Sequence, residues 1–274
     1  MKPIPFAKMN GSGNDFILID NRNGSAPADL PAFVRGVCRR KLSVGADGLI
    51  LIETDAGHDF KWQFFNADGS RAEMCGNGAR CAARFAFVNG IAGNRMTFGT
   101  DAGTIAAEVI GEDVKIRMTD PVGLTLDEPL ALAHGQQMVS HVNTGVPHVV
   151  IATDDLETVP VADRGREIRH HQHFAPAGTN VNFMAVRGPG AITVRTYERG
   201  VEDETLACGT GCVAAGLIAA VRHGWESPVA VTTRSGGVLT IHFERKGQGF
   251  GAVHLEGDAR IVYTAELQVD ALKR

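Results

Sequence analysis

The chain has 274 residues, of which 44% are hydrophobic and 21% are charged. This composition is typical of a globular protein with a real core, built as one large domain or two of ordinary size, and it excludes wholesale disorder. The 27 Lys and Arg residues against 31 Asp and Glu give a formal charge of −4 without a basic stripe, so we expect no nucleic-acid binding. No apolar run approaches the roughly 20 residues of a membrane helix, and we expect no membrane association.

The cysteine content indicates a reducing compartment. Five cysteines, an odd number, argue against a disulfide framework, and the first residues, MKPIPFAKMN, contain no apolar signal core. We therefore predict a cytoplasmic protein. The sequence leaves the oligomeric state open, with a homodimer as one option.

Taken in chain order, the elements are short strands with one strong helix in each half. The first half predicts strands at FILID, GLILIE and KWQFF, a helix over Asn77–Val88 ending at Asn89-Gly90, and the hairpin TIAAEVI-GED-VKIRM. The second half predicts strands at HVVIAT and AITVRTYE, a helix over Gly209–Arg222 ending at His223-Gly224, and strands at VAVTT, VLTIHFE and AVHLEG. The segment CVAAGLIAAV is apolar almost all round, which predicts a buried helix.

The chain also contains an internal repeat. CGNGARCA, starting at Cys75, resembles CGTGCVAA, starting at Cys208, 133 residues later. The same offset aligns TDAGTI with TRSGGV, GADGLI with GTNVNF, and MNGSGNDFILI with VNTGVPHVVIA. Four matches in order at one gapless offset indicate a duplication that produced two similar domains.

The duplication predicts the domain boundaries. We assign residues 1–120 to an N-terminal half and residues 121–261 to a C-terminal half, with a tail, about residues 262–274, that could pack back on the first half. The join is expected near Asp120 to Gly135, where PVGLTLDEP carries two prolines and is interpreted as a crossing segment.

Each duplicated cysteine is expected at the N-terminal mouth of its helix. The unpaired N–H groups and the dipole of a first helical turn stabilise a thiolate and bind a carboxylate, and the glycine after each cysteine leaves room for a ligand. Two such sites offer one thiolate base and one thiol acid. This pair suits the removal of a proton from one face of an α-carbon and the return of a proton to the other face, with helix-end N–H groups stabilising the carbanionic transition state.

The other three cysteines have a simpler interpretation. A lone cysteine is usually a small buried hydrophobe, and we interpret Cys38, Cys81 and Cys212 in this way. Zinc is not favoured, because the chain has no CxxC and its cysteine spacings are not those of structural zinc sites.

A histidine cluster offers the other candidate for a metal site. HHQH, His170 to His173, could bind a metal ion, but beside Arg166, Arg169 and Pro176 it is interpreted as a solvated loop. We therefore expect no metal and no cofactor.

Longer motifs carry a family resemblance. MNGSGNDF, FFNADGSRAEMCGNGARC, the PH of GVPHVV, GTNVNF and TYERGVEDETLACGTGC closely resemble the diaminopimelate epimerase family, in order and over nearly the whole chain. NADGS before MCGNGAR, and YERG before ACGTG, distinguish the chain from the related proline racemases, which share the paired cysteines and the duplicated architecture.

The resemblance implies both an activity and a fold. The activity is cofactor-independent (not pyridoxal phosphate-dependent) interconversion of LL- and meso-diaminopimelate, on the route to lysine and peptidoglycan precursors. The fold is α/β (mixed α+β), with two pseudo-symmetric domains. Each is a curved mixed, largely antiparallel sheet wrapped around a central helix, and the active site lies in the cleft between the domains.

The resemblance also implies site residues. Cys75 and Cys208 match the acid/base pair. His148 and Glu198 match residues near the reacting centre, where they would engage the α-amine of the substrate or tune proton transfer. Glu198 is also matched to a substrate-binding position. The other matched substrate-binding positions are Gly76, Asn77, Gly209 and Thr210 for the reacting carboxylate and Asn14, Asn66, Asn180 and Arg199 for the unreacted end.

Several of these residues also have ordinary structural interpretations. Glu198 and Arg199 could form a surface ion pair, and His148 could be a loop histidine whose hydrogen bonds are satisfied. The others could be residues of turns or helix starts: Asn66, Asn77 and Thr210.

The chain departs from the family pattern at two positions. Some members have Asn where this chain has Val146, and some have Gln where it has Gly48. Both differences remove polar groups from the expected pocket wall, whereas both cysteine motifs are intact.

Three rival functions stay open from the sequence. A proline or hydroxyproline racemase-like enzyme would have no second substrate carboxylate to meet Arg199. A thiol redox or metal-binding module would use the cysteines without turnover. A pyridoxal phosphate racemase would need a lysine in a phosphate cradle, and the sequence shows none.

Overall fold

The computed structural model describes residues 3–247 and 249–272, and the chain divides into two compact units. The first unit contains the chain up to Ile116 and again from Gly257 onward, and the second is Arg117–Glu256. Of the predicted tail, residues 262–267 belong to the strand 260–267 of the first unit, while residues 273 and 274 lie outside the described residues.

Most of both units is β structure. The helices are α1 Leu30–Val37, α2 Gly76–Val88, α3 Val161–Arg169 and α4 Gly209–His223, with short 3-10 helices at Gln172–Phe174 and Val269–Leu272. The strands are β1 Ile4–Gly11, β2 Asn14–Asp20, β3 Gly48–Glu53, β4 Phe60–Asn66, β5 Arg71–Ala72, β6 Arg95–Thr100, β7 Gly103–Ile110, β8 Asp113–Arg117, β9 Val122–Leu132, β10 Gly135–Asn143, β11 Pro147–Ala152, β12 Asn180–Gly188, β13 Ala191–Glu198, β14 Asp203–Thr205, β15 Val229–Thr232, β16 Val238–Lys246, β17 Gly249–Asp258 and β18 Arg260–Leu267.

The two units have the same strand order. In the first unit the neighbours run β18-β1-β2-β3-β4-β6-β7-β8, with β5 on β4. In the second they run β9-β10-β11-β12-β13-β15-β16-β17, with β14 on β13. The parallel pairs, β2–β3 and β4–β6, correspond to β11–β12 and β13–β15, and the other pairs are antiparallel. The predicted duplication is therefore visible in the topology.

One helix is central to each unit. Helix α2 contacts β1, β2, β3 and β7, and α4 contacts β10 to β13, β15 and β16. Because strands far apart in one sheet contact the same helix, each sheet must curve around it. The predicted fold class, a mixed and largely antiparallel sheet around a central helix in each of two domains, is confirmed.

The two central helices begin and end where the sequence indicates, to within one residue. Helix α4 ends at Gly224, whose φ of 65° is the left-handed conformation expected of a C-terminal glycine. Its residues 211–220 are all buried, as the apolar sequence predicts. Gly216 lets the helix lie against β16, because a Cβ at this position would lie 3.0 Å from Cγ1 of Ile241.

The outer faces of the sheets carry two short helices that the sequence did not predict. Helix α1 packs on the face that includes Leu49 and Leu51, and α3 packs on the face that includes Val181 and Phe183. Helix α3, VADRGREIR, is mostly charged and contains a glycine, which hides its helical pattern. That glycine, Gly165, is required because a Cβ there would collide with the Tyr197 side chain.

The segment PVGLTLDEP is a strand rather than a crossing segment. It forms most of β9, in which exposed residues alternate with half-buried ones from Gly123 to Pro129 and Leu130 is buried, and the boundary between the units falls earlier, at Ile116 and Arg117. Strand β9 is at the edge of its sheet, where Pro129 costs no ladder hydrogen bond. None of the helices in the described part of the chain is long and apolar enough to span a membrane.

Candidate active site

Cys75 is the residue at which helix α2 begins. Its backbone is extended, with φ −148° and ψ 118°, and its carbonyl accepts the N–H of Ala79 at 2.8 Å. The side chain is half-buried. Gly78 allows this first turn to pack closely, because a Cβ there would lie 3.2 Å from Cδ1 of Ile50 and 3.6 Å from Cβ of Cys75. The N–H groups that follow the sulfur lack partners within the helix by geometry.

Asn77 and Asn14 are hydrogen-bonded to each other. Nδ2 of Asn77 donates to Oδ1 of Asn14 at 2.8 Å, and Nη2 of Arg80 donates to Oδ1 of Asn77 at 2.9 Å. Arg80 is fully buried, and its Nη2 also donates to Oγ of Ser12 at 2.7 Å. Two of the predicted site residues thus share one network, and Arg80 fixes the orientation of the Asn77 amide.

Asn66 lies at the same end of the first sheet but has different partners. Its Nδ2 donates to Oγ of Ser70 at 3.1 Å and its backbone N–H donates to the Ser70 carbonyl at 2.9 Å, so it is a turn residue in this structure. Asn66 is paired with Gly48, which is itself paired with Phe16 on β2, two residues after Asn14.

The two positions that depart from the family pattern have different environments. A Cβ at Gly48 would lie 2.6 Å from the Phe65 carbonyl oxygen and 2.7 Å from Cε2 of Phe64, so this backbone has no room for a side chain. Val146 is half-buried, and its carbonyl accepts the N–H of Thr144 at 3.2 Å. The close packing of β4 against position 48 therefore explains why this chain has glycine there.

Cys208 begins helix α4 as Cys75 begins α2. Its backbone is extended, with φ −119° and ψ 108°, and its carbonyl accepts the N–H of Cys212 at 2.9 Å. The residue is only 7% exposed. Burial and the Glu198 carboxylate raise the pKa of the Cys208 thiol, while the Thr210 hydroxyl and the Gly211 N–H act in the opposite direction. Burial therefore raises the pKa of this thiol more than the N–H groups at the start of the helix lower it, and the sequence did not predict this result.

A chain of hydrogen bonds ends on Cys208. The sulfur lies 3.6 Å from Oγ1 of Thr210, and Nε2 of His148 lies 2.9 Å from the same oxygen. On its other side, Nδ1 of His148 accepts from Nδ2 of Asn182 at 3.1 Å. His148 is 1% exposed, and burial together with the Arg199 charge lowers its pKa to about 3. His148 is therefore a neutral, fully hydrogen-bonded residue that reaches Cys208 through Thr210.

Asn182 also belongs to this network, although the sequence did not predict it as a site residue. Its Nδ2 also donates to the Val149 carbonyl at 2.9 Å, and its Oδ1 accepts from Oγ1 of Thr196 at 2.9 Å. Gly211 makes this placement possible, because a Cβ there would collide with Oδ1 of Asn182. The available signal was an asparagine inside the apolar strand NVNFMAV, where a buried amide needs partners.

Glu198, Arg199 and Asn180 lie at adjoining strand ends of the second sheet. Oε2 of Glu198 accepts from Oγ1 of Thr205 at 2.9 Å, and burial raises the pKa of this carboxyl. Nη1 of Arg199 donates to the Ala177 carbonyl at 3.2 Å, and its backbone N–H donates to Oδ1 of Asn180 at 2.8 Å. The two charged side chains thus have separate partners and do not form the simple ion pair considered from the sequence.

The remaining cysteines are packed in the interior. Cys38, Cys81 and Cys212 are buried. Burial raises the pKa of Cys38 and of Cys81 to about 12, so neither forms a thiolate at neutral pH. These environments agree with their interpretation as small buried hydrophobes.

Solved structures with low sequence identity share this fold. A phenazine biosynthesis protein of the PhzF family from Bacillus anthracis matches with a TM-score of 0.76 at 15% identity, covering 98% of this chain and 100% of that one. A hydroxyproline epimerase from Agrobacterium vitis, solved with bound trans-4-OH-L-proline, matches with a TM-score of 0.68 at 14% identity, covering 98% and 93%. The chain therefore has the two-domain fold of the PhzF and proline racemase-like proteins.

Sequence comparison gives the family within that class. The diaminopimelate epimerase family model matches residues 6–124 and 140–262. The diaminopimelate epimerase of Aquifex aeolicus (strain VF5) is 46% identical over 283 aligned residues, which cover 98% of this chain and 100% of that protein. The chain belongs to the diaminopimelate epimerase family.

Proposed function

We propose that this protein interconverts LL- and meso-diaminopimelate by moving a proton at one α-carbon, without a cofactor. The observation that carries the proposal is the pair Cys75 and Cys208, each of which begins the buried central helix of its unit in a chain of this family. The reaction supplies a precursor of lysine and peptidoglycan. The pair draws on both predicted halves, residues 1–120 and residues 121–261.

The proposed reaction uses one thiolate and one thiol. One sulfur removes the α-hydrogen as a proton, and the other gives its proton to the opposite face of the same carbon. The acid and base have then exchanged protonation states, as an epimerase needs for the reverse reaction. The buried Cys208, beside Glu198, is favoured as the thiol at the start, and the half-buried Cys75 then supplies the thiolate.

The helix ends stabilise the charge that develops during proton removal. An amino-acid α-proton is far less acidic than a thiol, so the carbanionic transition state needs donors aimed at the substrate carboxylate. We assign this role to the first-turn N–H groups at Gly76 and Asn77 and at Gly209 and Thr210. The Asn77 side chain is already held by Arg80, so its backbone amide is fixed before the substrate binds.

The unreacted end of the substrate needs a different set of groups. Diaminopimelate carries a second amine and a second carboxylate, and a guanidinium is a strong partner for a carboxylate. We assign Arg199 to that carboxylate, with the amide side chains of Asn14, Asn66 and Asn180 as further donors and acceptors. Glu198 and His148 are assigned to the reacting centre, where Glu198 would engage the α-amine.

The main alternative is a racemase of proline or hydroxyproline, because a hydroxyproline epimerase shares the fold. Reduced protein in heavy water is offered LL-diaminopimelate, L-proline and trans-4-hydroxy-L-proline, and α-deuterium is measured by mass spectrometry. We expect deuterium only in diaminopimelate. Exchange in either cyclic amino acid, with none in diaminopimelate, would reverse the assignment.

We also propose a cytoplasmic setting, since an active thiol pair must be kept reduced. The substrate is a small amino acid, and the proposal involves no nucleic acid, membrane, metal or cofactor. One chain contains both cysteines, so catalysis as proposed does not require a second chain. Light scattering of the purified protein decides whether it is a homodimer.

A further inference from the structure

A second side-chain cluster in the second unit lies outside the proposed catalytic and substrate-binding residues. It consists of Glu128 on β9, His141 on β10 and His173 on the 3-10 helix Gln172–Phe174. Nε2 of His141 lies 3.0 Å from Oε2 of Glu128, and Nε2 of His173 lies 3.4 Å from Oε1. One ligand atom from each residue lies within 4.8 Å of the other two. We call these three residues the His₂Glu cluster.

The fold brings the cluster together from three separate segments. Strands β9 and β10 form an antiparallel pair whose register shifts between Val139 and His141. The 3-10 helix is tied to β9 by His171, whose Nε2 donates to the Ala131 carbonyl at 3.0 Å. Nδ1 of His171 accepts the backbone N–H of His173 at 3.2 Å. The backbone that carries His173 is thus fixed by contacts that need no ligand.

The cluster is ordered by packing yet open to solvent. The Phe174 ring meets the His173 ring edge to face, with ring centroids 4.7 Å apart at 81°. The side chains remain 33% exposed at Glu128, 29% at His141 and 41% at His173, so an ion can reach them from water.

We propose that the His₂Glu cluster binds a divalent transition-metal ion, with Zn²⁺ as the best match. Two imidazole nitrogens and one carboxylate oxygen are a ligand set that zinc uses, with water in the fourth position. Zinc–nitrogen bonds of about 2.0–2.1 Å place tetrahedral ligands about 3.3 Å apart. The observed separations, 3.0 Å from Nε2 of His141 to Oε2 of Glu128 and 3.4 Å from Nε2 of His173 to Oε1, are close to this value, with one carboxylate oxygen facing each imidazole. A bound ion replaces the hydrogen bonds between the imidazoles and the carboxylate.

This proposal changes the interpretation of the HHQH segment. The sequence suggested a solvated loop beside Arg166, Arg169 and Pro176. The partners of His173 in the cluster, Glu128 and His141, are 45 and 32 positions away from it along the chain. In the structure only His173 of the segment belongs to the cluster, while His171 holds the backbone and His170 lies near Glu202, with its Nε2 3.5 Å from Oε2. The proposal is independent of the epimerase reaction, because none of the three ligands is assigned to it.

The experiment is a cobalt titration of the full, reduced chain, with Co²⁺ as a spectroscopic probe for zinc. We expect one Co²⁺ per chain with tetrahedral visible bands, without the near-ultraviolet charge-transfer band that thiolate ligands give, and displaced by Zn²⁺. His173→Ala should weaken binding at least about tenfold. The control is His170→Ala, which removes a neighbouring imidazole outside the cluster and should bind like wild type.

Three outcomes would overturn the proposal. The first is Co²⁺ binding by His173→Ala that equals that of wild type. The second is a spectrum that shows thiolate ligands, and the third is no Co²⁺ binding when metal and protein are mixed in equal amounts, which would leave the cluster as a hydrogen-bonded group. Glu128→Gln keeps the shape of the carboxylate and gives a second test should His173→Ala unfold. Circular dichroism of each variant checks that it is folded.

Discussion

His148 and Cys208 are connected through one hydroxyl group. Nε2 of His148 lies 2.9 Å from Oγ1 of Thr210, and the sulfur of Cys208 lies 3.6 Å from that oxygen. Because Asn182 donates a hydrogen bond to Nδ1, the hydrogen of the neutral imidazole is on Nε2. Nε2 therefore donates a hydrogen bond to Oγ1 of Thr210. The Thr210 hydrogen is then free to point at the sulfur. The arrangement favours the thiolate whenever Cys208 loses its proton.

The first prediction concerns that hydroxyl. Thr210→Val keeps the shape of the side chain but removes the donor to the sulfur, whereas Thr210→Ser retains it. A hydrogen bond to a charged group is worth about 1.5–3 kcal/mol, so we expect kcat to fall about ten- to a hundredfold in the valine variant. The apparent pKa of the thiol in the pH–rate profile should rise. Equal kcat values for the valine and serine variants would remove Thr210 from the path to Cys208.

The second prediction is a pH dependence of stability caused by His148. Its pKa is about 3 in the folded protein and near 6.5 in an unfolded chain, so between these values the unfolded state binds more protons. Stability therefore rises with pH across this window and is lost as pH falls from about 6.5 towards 3, by up to about 1.4 kcal/mol per unit.

The measurement is urea unfolding at pH 7 and at pH 5. His148→Asn should lose less unfolding free energy between these pH values than wild type does. The exposed His134→Asn serves as the control and should behave like wild type. The same pH dependence in wild type and His148→Asn would mean that His148 is not the group responsible.

The third prediction concerns the buried guanidinium of Arg80. Arg80→Met fills much of the same volume but leaves Oδ1 of Asn77 and Oγ of Ser12 without this donor. A buried acceptor left unsatisfied costs about 1–3 kcal/mol, and we expect a loss of at least that size in unfolding free energy. The half-buried Arg84, one turn further along α2, provides the control Arg84→Met, which we expect to cost less.

Activity separates a positioning role from a purely structural one. At a temperature where both variants are folded, Arg80→Met should also raise KM. The reason is that Arg80 holds Asn77, whose backbone N–H is proposed to bind the substrate carboxylate. An Arg80→Met protein with wild-type KM would restrict Arg80 to stabilising the fold.

Local patterns were sufficient to predict the central elements of the fold. The two helices were identified because each begins within a Cys-Gly-x-Gly motif and is followed by a glycine, and the repeat at one offset predicted two similar domains. Helices α1 and α3 were missed because they have only eight and nine residues and are stabilised by packing on the sheets. Strand β9 was missed because Pro121 directly before it and Pro129 within it resemble the prolines of a linker.

The candidate site was predictable only in part, for a similar reason. Cys75 and Cys208 stand in repeated motifs, so sequence spacing identifies them. Asn182 donates a hydrogen bond to His148, 34 residues away in the sequence, and Arg80 donates one to Ser12, 68 residues away. Such pairs depend on which strands are neighbours in the sheet, and single-residue patterns do not contain that information.

The central claim is that Cys75 and Cys208 form the acid/base pair. Its most direct test is α-hydrogen exchange and epimerisation of LL-diaminopimelate in heavy water by wild type, Cys75→Ala, Cys208→Ala and the buried-cysteine control Cys38→Ala. Wild type and Cys38→Ala should form meso product carrying deuterium at one α-carbon, and each of the other two variants should form none. Meso product at the wild-type rate from Cys75→Ala or Cys208→Ala, or wild-type product free of deuterium, would contradict the account.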